Sequence, residues 1–154
     1  MQRELRRKDR QLQDTETWKL LEQGEYGVLS TCSADGQPYG VPLSYCLLDS
    51  AVYFHCALEG HKLDNLAANN RASFCVVGAT ELLPEKFSTR YESVIVSGTV
   101  TEALDTDKQR GLEALVDKYC PDYHEKGMHY IAADSAKTRV FKLQIDTVCG
   151  KARR

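Results

Sequence analysis

Apolar and polar positions change their period several times along the chain, and each change predicts an element. Over residues 14–22, Trp18, Leu21 and Leu20 fall on one side of a helix, with Asp14 as its N-cap and Gly24 as its stop. Residues 26–33 (Tyr-Gly-Val-Leu-Ser-Thr-Cys-Ser) are rich in strand formers. The Asp35-Gly36 pair that follows predicts a hairpin into a second strand over residues 38–48. Pro42 inside that run marks an edge, a bulge or a break that faces a ligand, because proline cannot donate to a ladder. Asp49-Ser50 makes a turn, and residues 51–56 form a third strand.

Leu63, Leu66 and Ala67 then recur at helical spacing, and Asn69-Asn70 closes that helix. Residues 72–77 and 92–104 read as the fourth and fifth strands, the latter bent or bulged at Gly98, with residues 82–90 as a long connection. Asp105 caps a helix over residues 106–119 that turns Leu112, Leu115 and Val116 inward and ends at Pro121. A polar loop follows with Tyr123, His124, Met128, His129 and Tyr130, with room for a short helix. Residues 138–147 are the last strand, with Val140, Leu143 and Ile145 alternating imperfectly. Six strands with tight early hairpins and few long helices predict a mainly β fold, a six-stranded antiparallel barrel with a few peripheral helices. An open α+β sheet with helices on one face is the alternative. No repeat, low-complexity stretch or linker divides the chain, so residues 1–154 form one domain, with residues 1–13 as a basic N-terminal arm.

Composition narrows the function classes. At 42% hydrophobic and 27% charged, the 154 residues are ordinary for a globular protein. No apolar run approaches the roughly 20 residues that span a bilayer, and the charged start lacks the apolar centre of a secretory signal. The expectation is a cytoplasmic protein with no membrane partner. A formal net charge of −2 gives no global attraction to nucleic acid. Arg3, Arg6, Arg7, Lys8 and Arg10 do crowd the arm against only Glu4 and Asp9, but no recognition motif follows them, and nucleic acid is not an expected partner. A solvated arm that packs on a partner subunit or frays is the plainer reading. The six cysteines form no CxxC pair and no zinc-finger spacing, so they read as small hydrophobes in a reducing compartment and no metal site is expected. Cys56 stands apart because it neighbours the candidate site.

That site is the junction of residues 53–66, where a strand passes through a glycine into a helix. The first N–H groups of a helix have no internal partner and carry positive partial charge, so they attract anions. Gly60 lets backbone approach a ligand, Lys62 adds a full positive charge, and His61 adds a titratable donor. The same residues also fit a plain structural turn. His55, on the strand that leads there, is either a wall residue or, if it shares a cavity with Lys62, a donor or general acid near a bound ring. Ser30, Thr31 and Ser44 supply hydroxyls, and Tyr45 and Tyr53 aromatic surface. No GxSxG, HExxH, P-loop or dinucleotide fingerprint occurs, which argues against a hydrolase, metalloprotease or NTPase.

Several ordered segments carry a family resemblance: Arg-Arg-Lys-Asp-Arg at 6–10, Tyr-Gly-Val-Leu-Ser-Thr at 26–31, and Gly-Gln-Pro-Tyr-Gly-Val-Pro-Leu-Ser-Tyr at 36–45. Val-Tyr-Phe-His at 52–55, Gly60-His61-Lys62 with Leu63 and Asn65, Ala-Ser-Phe-Cys-Val at 72–76, Val-Ile-Val-Ser-Gly at 94–98 and Gly150-Lys151 complete the set. Together they resemble the FMN-binding split-barrel proteins related to pyridoxamine 5′-phosphate oxidase, in the nitroimidazole-resistance (Nim-type) branch. The resemblance implies a six-stranded split barrel and a two-fold homodimer with FMN at the subunit interface. It further implies that Leu29, Ser30 and Thr31, with Pro42, Leu43 and Ser44, border the flavin, and that His55 lies beside the ring as the reactive histidine. His61 and Lys62 would hold the phosphate with help from Asn65, while Tyr91, Glu92 and Ser93 reach the flavin from the other subunit. The sequence does not match the pyridoxamine-phosphate oxidases proper, so their substrate does not carry over. The expected activity is an FMN-dependent oxidoreductase taking electrons from a reduced nicotinamide or another donor and passing them to a small aromatic or nitro-bearing acceptor. A non-catalytic flavin-binding or sensing module, and a heme-binding protein on the same barrel with a histidine as axial ligand, are the alternatives.

Overall fold

The computed structural model describes residues 3–154, so the first two residues of the basic arm lie outside it. In chain order the described elements are α1 (Asp14–Gln23), β1 (Gly27–Cys32), β2 (Pro38–Leu43), β3 (Cys46–Leu48), β4 (Ala51–Cys56), α2 (His61–Ala68), β5 (Arg71–Leu83), β6 (Ser88–Ala103), α3 (Asp105–Tyr119), α4 (His124–Asp134) and β7 (Arg139–Arg153). The strands form one sheet in the order β2-β1-β5-β6-β7-β4-β3, with every neighbouring pair antiparallel. β2 and β3 stand at opposite ends of that order yet follow each other directly in the chain. The backbone at Ser44 and Tyr45 therefore joins the two edges, and the sheet curls into a barrel. Inward side chains meet across it: Leu29, Phe54, Phe74, Val76, Val96 and Leu143 are fully buried in one cluster. Each contributes about 1.5–3 kcal/mol by leaving water.

Two expectations need correction. The sheet has seven strands among the described residues, not six, and with four α-helices packed around it the fold is mixed α/β rather than mainly β. The extra strand comes from a break in the run 38–48. At Tyr45 the backbone leaves the ladder: its N–H donates to the Tyr119 hydroxyl at 3.0 Å, and that hydroxyl shares its one proton between the Glu25 carbonyl at 2.6 Å and the Tyr45 carbonyl at 3.0 Å. The Tyr45 ring turns inward, packs edge-on against Phe74, and its hydroxyl donates to the Leu21 carbonyl of α1. A phenol on a distant helix thus satisfies the backbone that a strand neighbour would otherwise satisfy.

Other differences are of length. The connection at 82–90 is the tip of a long hairpin, with a 3₁₀ turn at Pro84–Lys86 between β5 and β6. Leu82 and Phe87 are exposed there, so no alternation betrays the strands. The bulge at Gly98 is present: Ser97 pairs with Thr147 but Gly98 with Ile145, leaving Asp146 over. Gly98 is required by contact, since a Cβ there would sit 1.8 Å from the Gln144 carbonyl oxygen. Past that bulge β7 continues to Arg153. Asp14 and Asp105 are the first residues of α1 and α3 rather than caps that bond the helix ends. The arm packs on its own chain from Arg10 onward: the Arg10 guanidinium reaches the Tyr91 hydroxyl, Gln11 bridges Lys151, and the Leu12 N–H donates to the Gly150 carbonyl at 3.0 Å. All six cysteines are free thiols, with Cys46 and Cys56 buried and Cys120 exposed.

The helices take different stations. Leu63 and Leu66 of α2 join the barrel cluster, and α1 adds Leu21. α3 and α4 lie outside the sheet, over β3, β4 and the start of β7. Tyr53, Ala103, Leu112, Leu115, Ile131 and Val140 form a second cluster there. Under that layer, Asp107 accepts hydrogen bonds from the Tyr53 hydroxyl and the Lys142 ammonium, each at 2.7 Å, which pins the start of α3 to the sheet. Among the described residues no helix is long and apolar enough to cross a membrane.

Candidate functional site

Strand alternation decides where His55 points. Val52, Phe54 and Cys56 belong to the barrel cluster, whereas Ala51 and Tyr53 face the helix layer, and His55 follows them to that side. The helix cover ends before His55. There it leaves a cavity of about 440 Å³ with Ser44 and His55 on the sheet side and residues of α3 and α4 opposite. The β3–β4 register, with Cys46 against Tyr53, brings Ser44 level with His55 although 11 positions separate them in sequence. His55 touches solvent at this mouth, yet protein surrounds enough of the ring to hold its pKa below the ordinary 6.5; partial burial is the larger cause and the Lys62 ammonium the second. The imidazole is therefore neutral at pH 7, able to donate from one nitrogen and accept at the other.

One turn of chain further on, Gly60 adopts φ 155° with open space where a side chain would stand. Its carbonyl receives the N–H groups of Leu63 and Asp64, so those of His61 and Lys62 point out of the start of α2 without an intrahelical partner. Lys62 is half-buried and joins none of the ion pairs among the described residues. The His61 ring stacks on Tyr39 of β2, with centroids 4.0 Å apart. Asn65 is buried and donates to the buried Thr31 hydroxyl at 3.0 Å, tying α2 to β1. Burial pushes the neighbouring Cys56 thiol upward, partly opposed by Lys62 and Arg139, so this cysteine is an inert wall.

The predicted residues thus fall into groups. Ser44 and His55 share the cavity, and Thr31, Asn65, His61 and Lys62 gather around the start of α2. Leu29 is fully buried in the barrel, so only its backbone can border a ligand; Ser30 and Pro42 are exposed on the outer face, with Leu43 half-buried. Tyr91, Glu92 and Ser93 lie elsewhere. β7 sets His55 against Val140 and Val140 against Ala103, so Tyr91 stands 12 positions along β6 from the level of His55, roughly 40 Å of extended strand. Tyr91 sits instead between Arg10, whose guanidinium donates to its hydroxyl at 3.4 Å, and Lys151. Burial raises its pKa, but those two cations outweigh burial and hold the phenol below its usual range. Glu92 pairs with Arg154 at 3.4 Å. Reasoning from sequence missed Tyr39, Asp134 and the tyrosine at the end of α3. Tyr39 was visible as the aromatic after Pro38, but nothing local ties it to His61.

No curated protein matches the chain. Among solved structures, a FAD-binding protein from Mesorhizobium loti is 28% identical, with 94% of this chain and 98% of that one aligned at a TM-score of 0.66. A candidate 5-nitroimidazole antibiotic resistance protein from Bacteroides thetaiotaomicron shares 21% identity over 92% of this chain and 86% of its own, with a TM-score of 0.75. A FAD- and heme-binding protein from Mycobacterium smegmatis, 20% identical, aligns over 94% of this chain and 74% of its own at 0.80. The last two likenesses establish the split-barrel fold and nothing finer. A family-wide sequence profile matches residues 13–152, almost the whole chain, and by it the protein belongs to the pyridoxamine 5′-phosphate oxidase family.

Proposed function

We propose that this protein binds FMN as a homodimer, with the flavin at the subunit interface, and works as an oxidoreductase. Electrons would pass from a reduced nicotinamide or another donor to a small aromatic or nitro-bearing acceptor. The observation that carries the reading is the juxtaposition, on one strand–helix junction, of an anion cradle and a neutral imidazole at a cavity mouth. The cradle fits a phosphate: two unpartnered N–H groups, one ammonium and no side chain at Gly60 to obstruct approach. When bound, FMN supplies the electron chemistry. The chain's own residues do the rest. Lys62 and the start of α2 hold the phosphate, with His61 and Asn65 braced by Tyr39 and Thr31. Ser30, Pro42, Leu43 and Ser44 border the ring, joined by the backbone at Leu29. His55, held neutral, orients the acceptor by a hydrogen bond rather than acting as a strong acid.

Tyr91, Glu92 and Ser93 are too far along β6 to serve their own chain's site and would serve the partner's. Val77, 60% exposed on β5, and Ile95, 47% exposed on β6, give an apolar patch for that two-fold contact.

FMN titration of the wild type against Lys62→Ala tests the phosphate assignment; affinity that does not fall in the mutant would remove it. Substituting His55 by Ala should leave FMN bound and slow reoxidation by the acceptor, and equal rates would end its role there. A flavin that stays bound but accepts electrons from no donor would identify a non-catalytic module instead. One competing reading has support of its own. The Mycobacterium relative binds heme as well as FAD, and an exposed neutral imidazole is the form that ligates iron. The absorbance spectrum of purified protein separates the two, and titration with FAD beside FMN identifies the preferred flavin.

A further inference from the structure

We propose that the cavity between β4, α3 and α4 is a second binding site, distinct from the anion cradle, for flat apolar molecules that are neutral or carry an ammonium group. It discriminates against carboxylates and phosphates. Calling its occupant the electron acceptor rests on the flavin reading above; the binding preference does not.

The volume, about 440 Å³, lies within the range of pockets that enclose small ligands, roughly 300–1,000 Å³. Its walls are apolar where α3 and α4 supply them, through Leu112, Leu115, Val116 and Ile131, and the rings of Tyr119 and Tyr130 add flat surface. Polar groups come from two sides. The sheet offers the Ser44 hydroxyl and the His55 ring, and the end of α4 offers the Asp134 carboxylate. Burial and the nearby Lys62 keep His55 uncharged, so Asp134 is the one formal charge in the wall. Four cations stand close, none of them in the lining: Lys62 acts on His55, Lys118 holds its ammonium over the Tyr45 ring at 3.7 Å, and Lys137 and Lys108 border the end of α4. Lys137 is 3.9 Å from the Asp134 carboxylate but 81% exposed, where solvent screens it. Lys108 donates to the Ser135 backbone carbonyl at 2.7 Å, and the Glu102 carboxylate near it is held by Arg139 through two bonds of 2.9 Å. A molecule entering with its own negative charge loses water and meets a carboxylate; one with an ammonium finds a partner. The protein thus separates charge between two sites, with anions at Lys62 and uncharged or cationic rings in the cavity.

Cys120, an exposed thiol in the same wall, reports occupancy. Three indoles of similar shape probe the charge: tryptamine, indole and indole-3-propionate, titrated calorimetrically into flavin-free full-length protein. Alkylation of Cys120 by iodoacetamide is followed in parallel by peptide mass spectrometry, with Cys32 as reference. Tryptamine should bind roughly fivefold to tenfold more tightly than indole-3-propionate, the size of one partly exposed charge pair, and should slow alkylation at Cys120 but not at Cys32. Asp134→Asn should abolish the preference and keep indole affinity. Equal or tighter binding of indole-3-propionate, a preference that survives Asp134→Asn, or no protection of Cys120 by any indole overturns the proposal. So does protection of Cys120 by FMN alone, since the cavity would then be the flavin's own. Titrating FMN into wild type and Lys62→Ala alongside keeps the two readings apart. Tryptamine preference without FMN binding sinks the flavin reading only, and Lys62-dependent FMN binding with no indole protection sinks the cavity only.

Discussion

The two faces of β4 have different neighbours. On the barrel side, Val52 and Phe54 are fully buried among side chains from six other elements. On the helix side, packing is complete at Tyr53 and stops at His55, where the cavity begins. The barrel encloses its interior by joining its own edges, so any void there would cost contacts all around it. The helix layer is held close to the sheet where Gly111 lies against Tyr53 and Val140, and stands off it beyond, at His55. Space for a ligand costs least on the side that closure does not compress, and there the chain places its neutral imidazole.

The largest expected effect separates the two sides by stability. Leu143 is fully buried in the barrel, and Leu115 lies against the cavity. Leu143→Ala should cost about 4–5 kcal/mol and Leu115→Ala about 2–3 kcal/mol in urea denaturation, because the second removal enlarges a space already present. Equal losses would mean that the helix layer is packed as tightly as the barrel. Next in size, Lys62→Ala should weaken FMN binding by about 1.5–3 kcal/mol, or about tenfold to more than a hundredfold, measured by flavin fluorescence.

Thr31→Val leaves the buried Asn65 amide without its acceptor and should cost about 1–2 kcal/mol of stability, read by thermal or urea unfolding. A neutral result would show that Asn65 finds another partner, so that α2 is held to β1 by apolar packing. The smallest signal is a titration. His55 should titrate below 6.5 by NMR, and Lys62→Ala should move it upward by removing a like charge. The sign for stability follows. The unfolded chain takes up the His55 proton first as pH falls from 6.5, so the native state loses stability over that interval, and loses less in Lys62→Ala. An unmoved titration would place Lys62 away from the ring.

What was legible in the sequence follows the range of the forces involved. β1 and β4 show in their strand formers, and the bulge at Gly98 in a glycine set within a strand pattern. The strand–Gly60–helix junction was legible for the same local reason. The break at Tyr45 was not, because its partner is Tyr119, far along the chain. α4 hid because few of its residues face inward: Ile131 is buried and Met128 half-buried, while Tyr130 is exposed. The cavity hid with it, since Asp134 and Ile131 lie on a segment that reads as a polar loop. Motif and spacing could locate His55 and Lys62, but only packing shows that His55 opens on a cavity whose lining does not include Lys62.

The place of β7 in the sheet bears on how the protein comes into being during synthesis. β7 bonds β6 along one side and β4 along the other, pairing Ala51 with Gln144, yet it is made after every other strand. As the nascent chain grows, β2, β1, β5 and β6 can assemble from local hairpins, while the short β3–β4 hairpin waits for its clamp with Phe54 unshielded. Translation stopped shortly before residue 139 would not yield a weakened barrel; it would yield two sheet fragments with open edges, substrates for chaperones and proteases.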